Sequence, residues 1–442
     1  MSGSSQTVSL PRLLAYGLPG LPLAALMLPL YVYLPAYYAE DLGLGFAAVG
    51  AVLLIARLSD VVTDPLIGAL SDRIVTRFGR RRVWMVAGAP IVLLSAHMLF
   101  GAEEGVGIGY LLVWTVAAYL GVTMVLLPYS AWGAEMSPDY DQRSRIAGSR
   151  EGFVVLGTLL AAGLPSLLGA DRGAALQMIG WMLWFVLPLS LIVALCAVPE
   201  GNAIWRASAG WRRGVAILWR NRPFRRLVAA YLLSGIANGL PASLFLLFVA
   251  HVIERPEWSG PLLFVYFFCG VAAIPIWLRV SARYGKHRVW TGAMLWATAV
   301  FLFVPLLGPG DQWWFLLICV FTGFSLGADL VLPASMQADV VDLDTLHSGR
   351  QRTGIYFAIW GMATKLALAL AVGIAFPLLD LAGFAANTMG NSDTGLIALA
   401  ALYSLVPAAF KIAAVTLFWG YPITAERQRR IRAMIRSRTI ST

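Results

Sequence analysis

Charge is what this 442-residue sequence has least of: 13% of it is Asp, Glu, Lys or Arg, against 59% hydrophobic residues. A soluble domain carries about 25% charged residues, so there is too little polar surface here to keep a globule of this size in water. Lysine is scarcest, with Lys286, Lys365 and Lys411 standing against thirty arginines. Cysteine is nearly absent. Cys196, Cys269 and Cys319 fall inside apolar runs at no metal-like spacing, and read as small hydrophobes with no metal or redox role. His97, His251, His287 and His347 are scattered. With no nucleophile–base pair or metal cluster, the pattern argues against an enzyme and against a resident cofactor. Low-complexity tracts and appended soluble domains are missing too. No cleavable signal sequence is expected, because Met1 to Arg12 is polar and merges into a full-length apolar span.

Long apolar runs are what the chain has in abundance. Twelve stretches are each long enough to cross a bilayer as a helix, near 12–38, 46–71, 83–101, 107–133, 148–169, 176–198, 226–252, 259–280, 289–308, 313–340, 354–379 and 395–420. The expected fold is all-α and polytopic. The net charge of +10 is a topology signal and not a nucleic-acid footprint, because its placement alternates. Arginine and lysine gather at Arg73–Arg82, Arg143–Arg150, Arg206–Arg226, Arg279–Arg288, Arg350–Arg352 and Arg427–Arg438. The intervening loops hold Glu40, Asp41, Glu103, Glu104, Asp171, Glu254, Glu257 and Asp311, with Arg172 and Arg255 as their cations. The positive-inside rule then puts both termini in the cytoplasm, as in a plasma or bacterial inner membrane. The tail from Glu426 to Arg438 is expected to lie as a basic helix at the interface.

The chain repeats itself. RFGRRRVW (Arg77–Trp84) and RYGKHRVW (Arg283–Trp290) lie 206 residues apart, each after the second span of its half. Ala134-Glu135 is echoed by Ala338-Asp339, and Asp139-Tyr140-Asp141 by Asp342-Leu343-Asp344. Such a period implies two six-helix bundles, residues 1–199 and 226–442, joined by a cytoplasmic connector over 200–225. Folds of this kind hold a ligand near the midplane and expose it to each side in turn. Asp72, Arg80, Arg81 and Arg82 are gate candidates, since they can pair across helix ends when the cytoplasmic side is shut; interfacial anchoring is the plainer alternative.

Ionisable groups inside spans are costly, and functional by default. RLSDVVTDP places Arg57, Asp60 and Asp64 on one face of span 2, since residues three and four apart are helical neighbours. Two carboxylates about 6 Å apart repel. A site with that excess of negative charge takes up a proton or Na⁺, unless Arg57 neutralises it as a structural cross-link. Lys365, mid-way along span 11, is the expected partner and competitor. Lys411 lies in span 12 nearer its centre than its end, and snorkelling is one way to place its ammonium. In span 4, Thr123, Tyr129, Ser130 and Trp132 surround Pro128, which frees carbonyls that suit a hard cation.

DVVTDPLIGALSDRIVTRFGRRRVW (Asp60–Trp84) resembles the signature of the glycoside–pentoside–hexuronide:cation symporters of the major facilitator superfamily, to which the melibiose permeases belong. LPYSAWGAEMSPDYDQRSRIAGSREGF (Leu127–Phe153) and MQADVVDLDTLHSGRQRTGIYF (Met336–Phe357) resemble its other two blocks, so the similarity covers nearly the whole chain. The resemblance implies a major-facilitator-type fold of twelve transmembrane helices in two bundles. It implies a cation site at Asp60, Asp64 and Thr123, an eleventh-helix lysine at Lys365 and a functional arginine at Arg150. Thr63 stands where melibiose permeases have asparagine, which leaves the coupling ion open between Na⁺ and H⁺. Ala24 and Leu126 stand where sugar-gripping carboxylates are expected, and an apolar pocket cannot make those charge-assisted bonds.

The leading expectation is cation-coupled symport of a sugar- or glycoside-like solute by alternating access, with the chain working as a monomer. A lysophospholipid-like amphiphile as the cargo, or proton-coupled export of toxic amphiphiles, stays open. A sensor or scaffold would have little use for the carboxylate pair. Tyr31, Tyr33, Tyr37, Tyr38, Tyr129, Trp132, Tyr356 and Trp360 can wall either kind of ligand, or pack.

Overall fold

A computed structural model of the chain describes residues 8–31, 33–137, 139–167, 172–199, 221–348, 352–384 and 391–440. Among them there is no strand, only an isolated bridge between Thr76 and Gly79. Hydrocarbon cannot hydrogen-bond a backbone, so apolar runs of this length close their own i→i−4 bonds. The helices are α1 (Leu10–Gly17), α2 (Gly20–Tyr31), α3 (Tyr33–Ala36), α4 (Phe46–Arg73), α5 (Arg82–Phe100), α6 (Ile108–Glu135), α7 (Tyr140–Leu167) and α8 (Arg172–Ala197). In the second half follow α9 (Arg222–His251), α10 (Ser259–Tyr284), α11 (Lys286–Phe301), α12 (Gln312–Ser348), α13 (Thr353–Leu381), α14 (Asp393–Tyr403), α15 (Leu405–Phe418) and α16 (Ala425–Ile440). Among the described residues, ten helical stretches are long and apolar enough to cross a membrane. Two more, α4 and α7, have 28 residues each and differ in carrying several charges. Together they make the twelve spans of a polytopic all-α protein.

Local chemistry sets the boundaries. Asn221 accepts from the Phe224 amide and caps α9, and Ser392 does the same for Gly395 at the start of α14. The first expected span, 12–38, is not one rod. A turn at Leu18–Pro19 separates α1 from α2, and the span ends in a π-helical turn over Tyr37–Asp41. The last expected span divides at Ser404 into α14 and α15. The expected 313–340 span is a longer helix: α12 continues to Ser348, because the carboxylates of its last turns are answered by arginines.

The chain forms two compact units. The first contains Met1–Ile217, Val341–Ile359 and Arg429–Thr442. Its core gathers Leu26, Leu30, Val92, Leu99, Leu111, Trp132, Leu183 and Leu187. The second contains Leu218–Val340 and Trp360–Gln428, and is built around Leu240, Leu244, Phe248, Phe315 and Tyr403. The Phe248 and Tyr403 rings stack at 4.4 Å.

The grouping cuts the chain at different points from the 1–199 and 226–442 bundles expected from the repeat. Residues 341–348 and 352–359 pack with first-half residues because Gly68 and Gly354 let α4 and α13 touch backbone to backbone, and because Asp342 pairs with Arg143 at 2.7 Å. Helix α16 packs on the first unit: Ile431 and Ile435 are buried one turn apart, and Arg432 pairs with Asp342 at 2.6 Å.

Helix packing in hydrocarbon relies on close approach at small residues. In the first unit α2 lies against α7 at Gly157, where an added Cβ would run into the carbonyl oxygen of Leu21. We expect Gly157→Ala to lower the unfolding temperature of the purified protein through overpacking of about 1–3 kcal/mol. Gly152→Ala, on the same helix in open space, should leave it unchanged; equal behaviour of the two variants in a thermal melt would show the contact to be unimportant.

Candidate functional site

Helix α4 faces α6 along the stretch that carries the intramembrane charges. Asp60 and Asp64 are 2% and 1% exposed. The Thr123 hydroxyl, on α6, donates to Asp64 Oδ1 at 2.8 Å. One turn away on the same helix, the Tyr119 ring lies 5.0 Å from the Arg57 guanidinium carbon. The i, i+4 pair Tyr119 and Thr123 therefore meets Arg57 and Asp64, which are two turns apart on α4. Pro65 inside α4 has no N–H, so it cannot donate to the Val61 carbonyl one turn back. The buried Thr63 hydroxyl makes no hydrogen bond among the described residues. Carboxylate, hydroxyl and freed carbonyl oxygens thus collect at one level of α4 and α6. Hard oxygen donors of this kind suit a small alkali cation, and the carboxylates equally suit a proton.

At the end of α4 lies a second charged cluster. Arg81 donates to Asp72 Oδ1 at 2.6 Å, to Glu135 Oε1 at 2.7 Å and to Ser71 Oγ at 2.8 Å. Arg80 reaches the same Glu135 oxygen at 2.7 Å. Burial works against the charge on Arg81, but Glu135 and Asp72 more than offset it and hold its pKa above the usual arginine value. Asp72 does double duty. Its two oxygens also accept from the Gly354 and Ile355 amides, at 2.9 and 3.3 Å, in the first turn of α13. Those are amides a helix leaves without internal partners, and a carboxylate there meets the positive end of the helix dipole. Arg82 turns elsewhere, donating to the Val198 carbonyl at 2.6 Å with its guanidinium over Trp132. Glu135, the acid that closes the cluster, was visible in the sequence only as part of the Ala134-Glu135 echo. Its counterpart Asp339, in the second unit, pairs with Lys286 at 2.8 Å. Arg80 and Lys286 occupy the same place in the two octets, so the repeat carries an ion pair as well as a sequence.

The remaining candidates are dispersed. Ala24 is buried and Leu126 is exposed. The side chain of Tyr31 lies outside the described residues. Tyr129 and Trp132 are fully buried. The Tyr129 hydroxyl donates to the Tyr16 carbonyl at 2.5 Å, and the Trp132 indole to that of Pro199 at 3.4 Å, so both pack against their own unit. Arg150 bonds Ser130 Oγ and Glu151 at 3.0 Å each. Tyr356 is fully buried in the first unit, while Trp360 belongs to the second, where it stacks on Tyr231 at 3.8 Å. Lys365 is half-buried along α13 in that unit. Lys411 does not snorkel. It is 1% exposed, and Asp329 holds its ammonium at 2.5 Å.

Residues 15–425 match the family described as MFS/sugar transport protein. The chain belongs to that family. It is a multi-pass membrane transporter of the major facilitator superfamily. It is similar to a glucuronide carrier protein homolog of Escherichia coli, at 22% identity over 90% of this chain and 90% of that protein. It is also similar to the sodium-dependent lysophosphatidylcholine symporter 1 of Mus musculus, at 23% identity over 96% of this chain and 88% of that one. Among solved structures, the fucose:proton symporter of E. coli shares the fold, with a TM-score of 0.65 at 14% identity, covering 91% of this chain and 98% of that one.

The Asp72 cap of this transporter has a direct readout. Asp72→Ala removes a cap of about 1–2 kcal/mol, so amide hydrogen exchange should speed up at Gly354 and Ile355 and leave mid-α6 unaffected. Unchanged exchange at those two amides would show that Asp72 does not hold the helix start.

Proposed function

We propose that this chain is a secondary active symporter that couples Na⁺ or H⁺ entry to uptake of a sugar- or glycoside-like solute. The observation that carries the reading is the pair of buried carboxylates on α4, with Asp64 hydrogen-bonded to Thr123 on α6. A cation entering between Asp60 and Asp64 relieves their mutual repulsion, and its arrival changes the net charge of the helix face. That change lets one ion bias a two-state equilibrium, because the two states differ in how well they solvate the pair. In this scheme the bundles 1–199 and 226–442, linked by 200–225, rock about the bound solute. Lys365 competes with the cation for the carboxylates. The Asp72–Arg81–Glu135 cluster is the cytoplasmic gate, broken and remade once per cycle, with both termini on that side of a plasma or bacterial inner membrane.

The donors admit either coupling ion. Thr123, the carboxylates and the Val61 carbonyl supply oxygens for Na⁺, while a proton needs only one carboxylate. A second cargo, an amphiphile of the lysophospholipid kind, is favoured by one observation: Ala24 and Leu126 are apolar where the family resemblance implies carboxylates that grip sugar hydroxyls. The similarity to a lysophosphatidylcholine symporter points the same way.

Reconstituted vesicles with an imposed Na⁺ or H⁺ gradient test the scheme. A panel of glycosides and lysophospholipids should contain a solute that accumulates only under the gradient. The double variant Asp60→Asn, Asp64→Asn should abolish accumulation, while leaving exchange or downhill flux of the solute measurable. Gradient-driven uptake that survives the double variant would falsify coupling at this pair. Thr123→Val should lower the apparent affinity for the driving ion about tenfold, the loss of one hydrogen-bonding ligand.

A further inference from the structure

The second unit holds a cavity of about 170 Å³ that the coupling scheme does not use. Phe245, Phe267, Phe301, Phe315 and Tyr403 are among its walls, and Asn238, Asp329 and Lys411 also line it. Those three polar groups form a built cluster. Lys411 Nζ donates to Asp329 Oδ2 at 2.5 Å and to Ser234 Oγ at 3.0 Å. Asn238 Nδ2 donates to the same carboxylate oxygen at 3.1 Å, and Trp290 Nε1 donates to the other at 2.7 Å. Asp329 thus accepts from three donors, and the ion pair is neutral overall. An ammonium has three protons, of which two are spent here, and the amide of Asn238 keeps its carbonyl oxygen as an acceptor.

A buried ion pair is a weak source of stability, and apolar residues of similar volume often serve a fold as well or better. Three donors converging on one carboxylate, with an ammonium proton left over at an aromatic cavity, match the build of a ligand site: mostly apolar walls and a few placed polar groups. We propose that this cavity binds a single uncharged aromatic ring carrying one hydroxyl, a ligand of the phenol class. Size limits it to one ring, since a cavity of about 150 Å³ accepts benzene. The hydroxyl oxygen accepts from Lys411 and its hydrogen is donated to Asn238 Oδ1, while the ring lies among phenyl faces that favour stacked or edge contacts. A pyranose is a poor occupant, because hydroxyls around its whole rim would face phenyl groups with nothing to bond. A carboxylate would add an unbalanced charge to a neutral pair. This site lies within the second unit and does not rest on the reading of Asp60 and Asp64.

Equilibrium dialysis of radiolabelled phenol against the full chain in lipid nanodiscs, with empty nanodiscs as the baseline, tests the proposal. We expect one saturable site per chain above the baseline, with toluene and benzoate competing at least about tenfold more weakly than unlabelled phenol. Asn238→Leu should weaken phenol about tenfold, and Ala297→Phe, which fills the cavity, should abolish saturable binding. Should Ala297→Phe fail to elute as a single species on gel filtration, Ala242→Leu, at the same wall, serves in its place. Binding that never exceeds the baseline, or that survives a folded cavity-filling variant, overturns the site. Toluene competing as well as phenol overturns the role given to Lys411 and Asn238.

Discussion

A charge carried into a membrane-spanning helix must be met by an opposite charge, a hydrogen-bond donor or a ligand, because hydrocarbon offers nothing else. The arrangement of this transporter follows from that constraint. Lys411, at 1% exposure, is met by Asp329 and Ser234. Arg81 stays charged in the interior because two carboxylates share it. Asp72 has both an arginine and the unfilled amides of α13. The carboxylate pair on α4 belongs to the same order, with a threonine hydroxyl from α6 on one member. A site whose charge changes when an ion binds suits coupling; a buried pair such as Lys286 with Asp339 suits holding helices in place.

The duplicated octets gain a physical meaning from these pairs. In each unit a cation from the octet reaches an acid at the end of the fourth span of that half: Arg80 with Glu135, and Lys286 with Asp339. The first unit adds Arg81 and Asp72, whereas the second has His287 in place of Arg81. The two halves are thus alike in the bond that ties their helices and unlike in the extra charges. Those extra charges lie where α4 meets the start of α13, at the glycines Gly68 and Gly354. Small residues set the approach distance there, and Asp72 uses it to reach the amides.

Apolar sequence does not mean uniform helix. Proline interrupts nearly every long helix, including Pro65 directly after Asp64 and Pro128 beside Tyr129. Each removes one internal hydrogen bond and leaves a carbonyl for other use. In α4 that carbonyl is at the level of the buried carboxylates. Around Pro128, by contrast, the neighbouring side chains Tyr129 and Trp132 are spent on backbone carbonyls of their own unit.

The all-α polytopic fold, its twelve spans and the family were legible in the residues alone, because hydropathy, alternating loop charge and three motif blocks are local or periodic signals. So was the face that brings Asp60 to Asp64, since helical spacing fixes which residues are neighbours along one element. The proximity of Thr123 came from the resemblance, and its hydrogen bond to Asp64 only from the fold. Spacing is silent between elements. Nothing local links Asp329 to Lys411, 82 residues apart, or Asp72 to the Gly354 amide, 282 residues apart. Nor does it say that the tail helix buries Ile431 and Ile435 and ties Arg432 to Asp342. A helix pattern names the groups that need a partner, and only the packing of helices against one another decides which partner each one finds.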